Sequence, residues 1–184
     1  YSKNYQILIG HENYEIIVLN KSENIHIYKV NILSKTKKKY YYIWQIEKAV
    51  EDGLVKEIGV SNYSIADLKM LLSYAKIKPC VNQIEMHPFV PNLLELIDFC
   101  QKNQIPVQAH TVLAGGKFFN NKTIADISKE YKISPAQVMI KWCLQLGCDV
   151  VLSTRNVDHL KEWMMDDFKF SGISNSPEGF TSTI

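Results

Sequence analysis

The sequence lacks the features that would place the protein in a membrane or on a nucleic acid. Its longest uninterrupted apolar run, residues 40–44, has five members, whereas a membrane-spanning helix needs about 20. The 21 basic and 19 acidic side chains nearly balance, and arginine occurs once, at Arg155. Nucleic-acid surfaces usually carry a longer basic patch, so we interpret the lysine-rich residues 35–39 as a linker. Neither a membrane nor a nucleic-acid partner is expected.

Cysteine is also scarce, and its spacing is not that of a zinc site or a redox motif. The four cysteines fall in apolar segments: Cys80, Cys100, Cys143 and Cys148. Buried thiols of this kind are typical of a reducing compartment, which predicts a cytoplasmic protein. The chain begins at Tyr1 without the pattern of a signal peptide. We therefore expect that processing or truncation has removed the original start.

The remaining composition, 46% apolar and 22% charged in 184 residues, is that of a globular domain with one ordinary core. Residues 1–39 are rich in β-branched and aromatic residues, as in 5–9 and 24–32, and predict two or three short strands. From residue 40 the period changes to three and four, which predicts a helix over 43–54 that ends near Gly53.

The following segment alternates short apolar runs with helical patterns. Four runs predict strands covered on both faces, over 57–60, 80–84, 106–109 and 149–152. Between and after them, apolar residues recur at helical spacing over 65–75, 93–100, 124–131, 136–144 and 157–164. Such alternation predicts right-handed βαβ units and a parallel sheet, either open or curled into a barrel. A complete eight-unit barrel takes about 250 residues, so the chain has room for about half of one.

Two motifs stand out in this region, KEIGVSNY at residues 56–63 and VNQIEMHP at 81–88. They resemble the aldo-keto reductase family, and the resemblance continues through 109–117, 134–137 and 153–160. It covers about residues 40–170 and implies the second half of a (β/α)8 barrel that reduces carbonyls with a nicotinamide cofactor. The predicted fold class is therefore α/β, a partial TIM barrel of about four βα units. Residues 1–39 would be a β-rich segment and a candidate relic of the first half-barrel, 40–170 the half-barrel, and 171–184 a tail.

The first candidate site residues are Ser61, Asn62 and Gln83, each at the end of a predicted strand. Barrel enzymes hold their sites at the C-terminal ends of their strands, where such side chains converge. The resemblance implies that the three hydrogen-bond the nicotinamide carboxamide and select the face of the ring. Without the resemblance, Ser61 and Asn62 would be read as an ordinary strand-to-helix turn with a helix-capping residue.

The next candidates follow the third of these strands. His110 stands where the family usually has a tyrosine that stacks on the nicotinamide, so it either stacks or is a residue of the barrel mouth. The resemblance implies that a loop wraps the cofactor pyrophosphate through Thr111, Leu113, Gly115 and Gly116. Glycine lets backbone N–H groups approach phosphate oxygens, although most glycine pairs are turns.

The last candidates follow the fourth strand: Ser153, Thr154, Arg155 and Asn156. Many members of the family have a lysine in place of Ser153 and an arginine in place of His159, and these bind the 2′-phosphate of the cofactor. Both cations are missing here. Arg155 could replace them through a bidentate contact, or it could be a surface cation. The sequence therefore leaves NADP and NAD both open as cofactor.

The family's catalytic residues are an aspartate, a tyrosine, a lysine and a histidine in the first half of the barrel. We find no aspartate, tyrosine and lysine at family spacing in this chain and assign no catalytic residue. If residues 25–33 are a relic of the fourth barrel strand, Asn31 falls near the family's histidine. Asparagine can donate a hydrogen bond but cannot transfer a proton at neutral pH.

We therefore expect an aldo-keto reductase-like, NAD(P)H-dependent carbonyl oxidoreductase, inactive if the catalytic set is truly missing, with a small carbonyl compound as substrate. The alternative is a noncatalytic nucleotide-binding or structural scaffold, and a third interpretation is an incomplete gene product.

No metal site is predicted. A half-barrel exposes strand edges, so we expect either a homodimer or an N-terminal sheet to cover one. His87 and Glu85 are read as structural or rim residues.

Overall fold

A computed structural model describes the backbone of three strands, at residues 5–9, 15–20 and 26–29, and residues 47–53 and 55–164 in full. Asn31, residues 35–39 and the tail 171–184 lie outside the described residues, as do the predictions made for them. The chain divides into two compact units. The first contains Tyr1–Ile84 and Phe99–Pro106, and the second contains Glu85–Asp98 and Val107–Ile184.

The first unit contains strands and helices, and one of these helices follows the fourth strand. The strands are β1 (Tyr5–Ile9), β2 (Glu15–Asn20), β3 (His26–Lys29), β4 (Glu57–Ser61) and the start of β5 (Asn82–Glu85). Helical residues 47–51 form α1, and Ile65–Tyr74 form α2. Gly53 follows α1 with a positive φ of 69°, which confirms the predicted helix end and explains the glycine there.

The strands of this unit follow the order β3-β2-β1-β4-β5. β1 pairs antiparallel with β2 and parallel with β4, β2 pairs antiparallel with β3, and β4 pairs parallel with β5. The strands predicted at 5–9 and within 24–32 are confirmed. The N-terminal strands also cover one edge of β4, which is one of the two arrangements expected for an exposed edge.

This order places the strand at 26–29 away from β4. β1 lies beside β4, with Ile7 opposite Ile58, and β3 lies beyond β2 and β1. Asn31 itself lies outside the described residues, so its proposed correspondence to the family's histidine stays a prediction.

The second unit is built around a buried helix. It contains β6 (Val107–His110), β7 (Asp149–Val150), α4 (Lys122–Tyr131), α5 (Pro135–Gln145) and α6 (Val157–Trp163). Seven residues of α5 between Ala136 and Cys143 are buried, so this helix forms the centre of the unit's core. The helix α3 (Leu93–Lys102) begins in this unit and ends in the first.

The sequence patterns locate these elements closely. The four apolar runs became β4 to β7, which pair in parallel where the pairing is described: β4 with β5 and β6 with β7. β7 is shorter than the predicted run 149–152, although the Val151 amide still donates to the Ala109 carbonyl at 2.8 Å. Every helix predicted from residue 65 onward is present, with ends shifted by a few residues.

The remaining composition-based predictions concern thiols, membranes and metals. All four cysteines are free, and Cys80 alone is half-buried while the other three are buried. The helices within the described residues fall short of what a membrane crossing requires. Within the same residues, no three side chains of the metal-ligating types are grouped to hold an ion.

Candidate functional site

The first group of candidate residues is placed by the pairing of β4 and β5. Ser61 and Gln83 are direct partners in the register. The amide of Asn62 donates to the carbonyl of Gln83 at 2.8 Å, and the Asn62 side chain donates to the Ser61 hydroxyl at 3.3 Å. Asn62 has a positive φ of 56°, a conformation that asparagine tolerates better than most residues. The three residues therefore lie together, as their strand-end positions predicted.

A buried asparagine fixes the loop behind this group. Asn82 is fully buried, its side-chain amide donates to the Tyr63 carbonyl at 3.0 Å, and its oxygen accepts from the Tyr63 amide at 3.3 Å. Asn82 therefore ties the residues after β4 to the start of β5. The sequence motif contained this residue, but nothing in its pattern distinguished it from the neighbouring candidates.

Ser61 and Asn62 do lie in a strand-to-helix turn, as the alternative interpretation had it, but neither is the helix cap. The cap of α2 is Ser64, whose hydroxyl accepts from the Asp67 amide at 3.2 Å. The Asp67 carboxylate accepts from the Ser64 amide in return, at 3.2 Å. This capping box satisfies the helix start, so Ser61 and Asn62 are not needed there.

The second group follows β6 in a loop with unusual backbone angles. Thr111, Ala114, Gly115 and Gly116 all have positive φ, from 47° to 81°. A side-chain carbon placed on Gly115 would meet no atom within 4 Å, so the backbone there faces open space. The amides of Ala114 and Gly116 donate within the loop, to the carbonyls of Thr111 and Leu113 at 2.8 and 2.7 Å. A phosphate at this loop would therefore have to bind to other groups, such as the open backbone at Gly115.

His110 precedes this loop and is half-buried. Burial lowers the pKa of its imidazole, and the Glu85 carboxylate opposes the shift. Its Nδ1 lies 2.7 Å from the Thr111 hydroxyl. A neutral ring at this place can present a flat face or a single donor.

A cavity of about 680 Å³ lies within the second unit. It is lined by 111–116 and Phe119, by 134–136 at the start of α5, by 151–154 after β7, and by three residues of α6. Six predicted site residues line it: Thr111, Leu113, Gly115, Gly116, Ser153 and Thr154. Its volume falls in the range of about 300–1,000 Å³ found for small-molecule sites.

Three predicted residues of the same unit do not line the cavity. His110 precedes it, Arg155 is exposed, and Asn156 caps α6 by accepting from the Asp158 amide at 2.9 Å. Asn156 thus has a structural task of its own. Arg155, which we considered as a replacement for the family's cations, has no part in the cavity wall.

The sequence reading missed the contribution of α6 to this cavity. His159, Glu162 and Trp163 line it. The rings of His159 and Trp163 lie 5.6 Å apart at 31°, and His159 Nδ1 lies 3.1 Å from the Thr154 hydroxyl. Their spacing of three and four residues puts them on one face of the helix, which is the signal that could have identified them.

His87 and Glu85 form a separate structural cluster, in keeping with their interpretation as noncatalytic residues. His87 is 7% exposed and its Nδ1 accepts from the Phe89 amide at 3.3 Å. Its Nε2 lies 3.5 Å from the Glu85 carboxylate, and its ring is 5.5 Å from that of Phe118. The hydrogen bond to Nδ1 requires an imidazole that is unprotonated at that atom.

Comparison with known proteins identifies the class to which this fold and site belong. The profile of the Aldo/keto reductase family matches residues 20–164. The chain therefore belongs to the aldo-keto reductase family, whose members bind NAD(P)H.

Particular relatives show how much of such a protein is present. The chain is 43% identical over 132 residues to aldose reductase C of Dictyostelium discoideum, a match that covers 70% of this chain and 41% of the relative. An aldose reductase structure from Schistosoma japonicum has a TM-score of 0.68 at 29% identity, over 78% of this chain and 47% of that one. A variant of Gox0644 in complex with NADPH has a TM-score of 0.59 at 32% identity, over 66% and 45% of the two chains.

These matches confirm the predicted fold class. The chain spans less than half the length of these relatives, and the part it matches is a portion of their (β/α)8 barrel. Oxidoreductases recur among its relatives, including a glycerol 2-dehydrogenase (NADP(+)) of Hypocrea jecorina that is 44% identical over 110 residues.

The described residues fit a nicotinamide dinucleotide on their own chemistry. The loop 111–116 presents open backbone beside a cavity of suitable size, and Ser153 and Thr154 add hydroxyl groups to its wall. Asn62 and Gln83 carry amide side chains that can pair with another amide through one donor and one acceptor. This donor set suits phosphates and a carboxamide.

Proposed function

We propose that this chain binds a nicotinamide dinucleotide and provides the cofactor-binding part of a carbonyl oxidoreductase. The observation that carries the proposal is the cavity of the second unit, because six residues chosen from sequence alone line it. These residues come from two separate segments of the chain, 111–116 and 153–154. Their convergence on one cavity supports a shared ligand.

Each group of residues would have its own task. In the second unit, Ser153 and Thr154 would hold the phosphates through their hydroxyl groups, together with those amides of 111–116 that do not donate within the loop. In the first unit, Ser61, Asn62 and Gln83 offer by themselves a hydroxyl and two amide groups that suit a carboxamide. The pairing of Ser61 with Gln83 supports this task, since it sets the spacing between their side chains.

The reaction would be the reduction of an aldehyde or a ketone. A bound reduced nicotinamide supplies a hydride to the carbonyl carbon. The oxyanion that results needs a proton and hydrogen-bond donors, and we propose no residue of this chain as the proton donor. The contribution of the chain's own residues is to bind and orient the cofactor against a small carbonyl substrate.

A noncatalytic nucleotide-binding scaffold is the second candidate. The observation that favours it is the pairing of β1 with β4. In a complete barrel, a further parallel βα unit would pair with this edge of β4. Here the antiparallel strands β1, β2 and β3 take that place. In this candidate two copies of the chain form the homodimer expected above. Light scattering would test the homodimer, and the expected mass is twice 21.2 kDa.

Cofactor titration tests the proposal. NADH and NADPH are titrated against the chain while cofactor fluorescence is followed, and a generic aldehyde is then added. Binding with turnover supports an oxidoreductase, binding without turnover supports the scaffold, and absence of binding by both nucleotides contradicts the proposal.

A pair of variants locates the binding. Ser153→Glu places a carboxylate on the exposed wall of the cavity and should weaken binding of both nucleotides about tenfold by like-charge repulsion. Lys129→Gln changes the net charge by the same amount on an exposed position of α4 and should change neither affinity. Equal effects of the two variants would show that the nucleotide does not use the cavity.

A further inference from the structure

Helix α6 has two faces of different character. The face that lines the cavity consists of His159, Glu162 and Trp163. Three apolar residues follow one another at spacings of three and four: Val157, Leu160 and Met164, the last at the C-cap. Because successive residues of a helix turn by about 100°, these three lie on the opposite side of α6 from the cavity. We call them the α6 stripe.

The α6 stripe is open to solvent. Its exposed fractions are 63% for Val157, 50% for Leu160 and 84% for Met164, and none of the described residues of α6 is buried. These three make up half of the six large hydrophobic side chains that are exposed among the described residues. Single exposed hydrophobic residues are common, but a contiguous apolar patch usually marks an interaction surface.

Two opposite charges lie along one side of the α6 stripe. The ammonium of Lys161 is 3.4 Å from the carboxylate of Asp158. Their side chains are 74% and 83% exposed, so water screens their contact within the helix and makes it weak. Each charge is therefore available to a further group of opposite sign.

The α6 stripe is complementary to a second copy of itself. If two α6 helices lie antiparallel across a two-fold axis near residues 160 and 161, Val157 of each copy meets Met164 of the other. Asp158 of each copy then lies on the same side as Lys161 of the other, because a two-fold interface makes every contact twice. A partner of a single charge sign would satisfy only one of these two side chains. The net charge of +2 on each chain adds little repulsion between the copies.

We infer that this protein forms a two-fold dimer in which the α6 stripes of two copies pack against each other. This surface differs from the strand edge at which the sequence led us to expect a dimer. It also faces away from the cavity, so the inference goes beyond the proposed function and does not depend on it. One short helix pair is smaller than the standard interface of about 1,600 Å². We therefore expect a reversible dimer with a dissociation constant on the order of 10 μM.

Sedimentation equilibrium of the full chain without nucleotide, from about 1 to 200 μM, tests the dimer. The mass should rise from 21.2 kDa toward twice that value. Leu160→Lys places a charge in the middle of the α6 stripe and should raise the dissociation constant at least about tenfold. Met70→Lys is the matched control, since Met70 is a large apolar side chain of α2 that is 45% exposed, and it should leave the constant unchanged. A constant mass of 21.2 kDa, or equal weakening by both variants, overturns the inference.

Two charge variants test whether the contact crosses between copies. Asp158→Lys and Lys161→Asp each place two like charges beside the α6 stripe, so each variant alone should dimerise at least about tenfold more weakly. An equimolar mixture of the two should associate again, because two lysines of one copy then face two aspartates of the other. A contact made within one chain cannot produce this recovery. A mixture that stays as monomeric as its components contradicts the antiparallel pairing.

The stability of the same variants identifies a different occupant. If the α6 stripe packs only against the second copy, Leu160→Lys and Met70→Lys at about 1 μM should have similar midpoints of urea denaturation. A monomeric Leu160→Lys protein with a midpoint well below that of Met70→Lys would assign the stripe to a segment of its own chain and would overturn the inference.

Discussion

The two units position their candidate residues by different means. In the first, Ser61, Asn62 and Gln83 are placed by the backbone ladder between two strands, through direct register and one hydrogen bond of 2.8 Å. In the second, the cavity is enclosed by a loop, a helix start, a strand exit and one face of a short helix. A ladder fixes positions through the main chain, whereas the cavity depends on how separate segments pack.

The strand-end residues of the first unit and the cavity-lining residues of the second should therefore respond differently to mutation. The first group depends on one buried polar residue, Asn82, beneath the strand ends. The second depends on several contributions of similar size, among them the cap of α5 and the ring pair on α6. A single change should therefore damage the first unit more than the second.

The largest effect is expected from Asn82→Ala. The change leaves the amide and carbonyl of buried Tyr63 without their side-chain partners, and each unpaired buried group costs about 1–3 kcal/mol. We expect a loss of about 2–4 kcal/mol in the free energy of unfolding, measured by urea denaturation. Asn120→Ala, the same change at an exposed residue, should cost less than about 0.5 kcal/mol. Comparable losses in the two variants would contradict the role given to Asn82.

A smaller effect is expected from the capping boxes of α2 in the first unit and α5 in the second. Ser64→Ala and Ser134→Ala each remove a hydroxyl that accepts from the third helical amide, and each should cost about 1 kcal/mol of stability. Ser134 also lines the cavity, whereas Ser64 does not. Only Ser134→Ala should therefore weaken dinucleotide binding, by about threefold, in a fluorescence titration. Equal affinities in the two variants would remove the α5 start from the site.

Much of the fold could be predicted from the sequence because local chemistry determines it. The β-branched runs at 57–60 and 106–109 became β4 and β6, and the Ser134-Pro135 pair marked the start of α5. Gly53 ended its helix as expected. In each case the residue type itself prefers the conformation it adopts.

Pairing partners and cavity walls were harder to predict, because they depend on residues distant in sequence. No local pattern indicates that β1 pairs parallel with β4 while β3 lies beyond β2. Thr111, Leu113, Gly115 and Gly116, which were named through resemblance, line the cavity, but the face of α6 that also lines it was not predicted. Helical spacing shows which residues share a face, and only packing shows what that face meets.

The smallest effect is expected from pH, and it should arise in the second unit. Burial lowers the pKa of His87, although the Glu85 carboxylate opposes the shift, and burial also lowers that of His110. In the unfolded chain the imidazole titrates near pH 6.5, and in the folded protein it titrates at a lower pH. Between these two pKa values the unfolded state binds more protons than the folded state. With respect to these rings, the free energy of unfolding should therefore be highest above about pH 6.5. It should decrease as the pH falls below that value.

Urea denaturation between about pH 7.5 and pH 5 measures this slope, which lies on the acid side of the ordinary histidine pKa. His87→Asn retains an acceptor for the Phe89 amide near the position of Nδ1 but cannot titrate, so it should flatten the profile without a matching loss of stability at pH 7.5. His110→Asn should flatten it further, because its imidazole is also kept neutral by burial. A stability that is constant over the interval, or that rises toward pH 5, would show that these two rings are protonated in the folded protein as easily as in the unfolded chain.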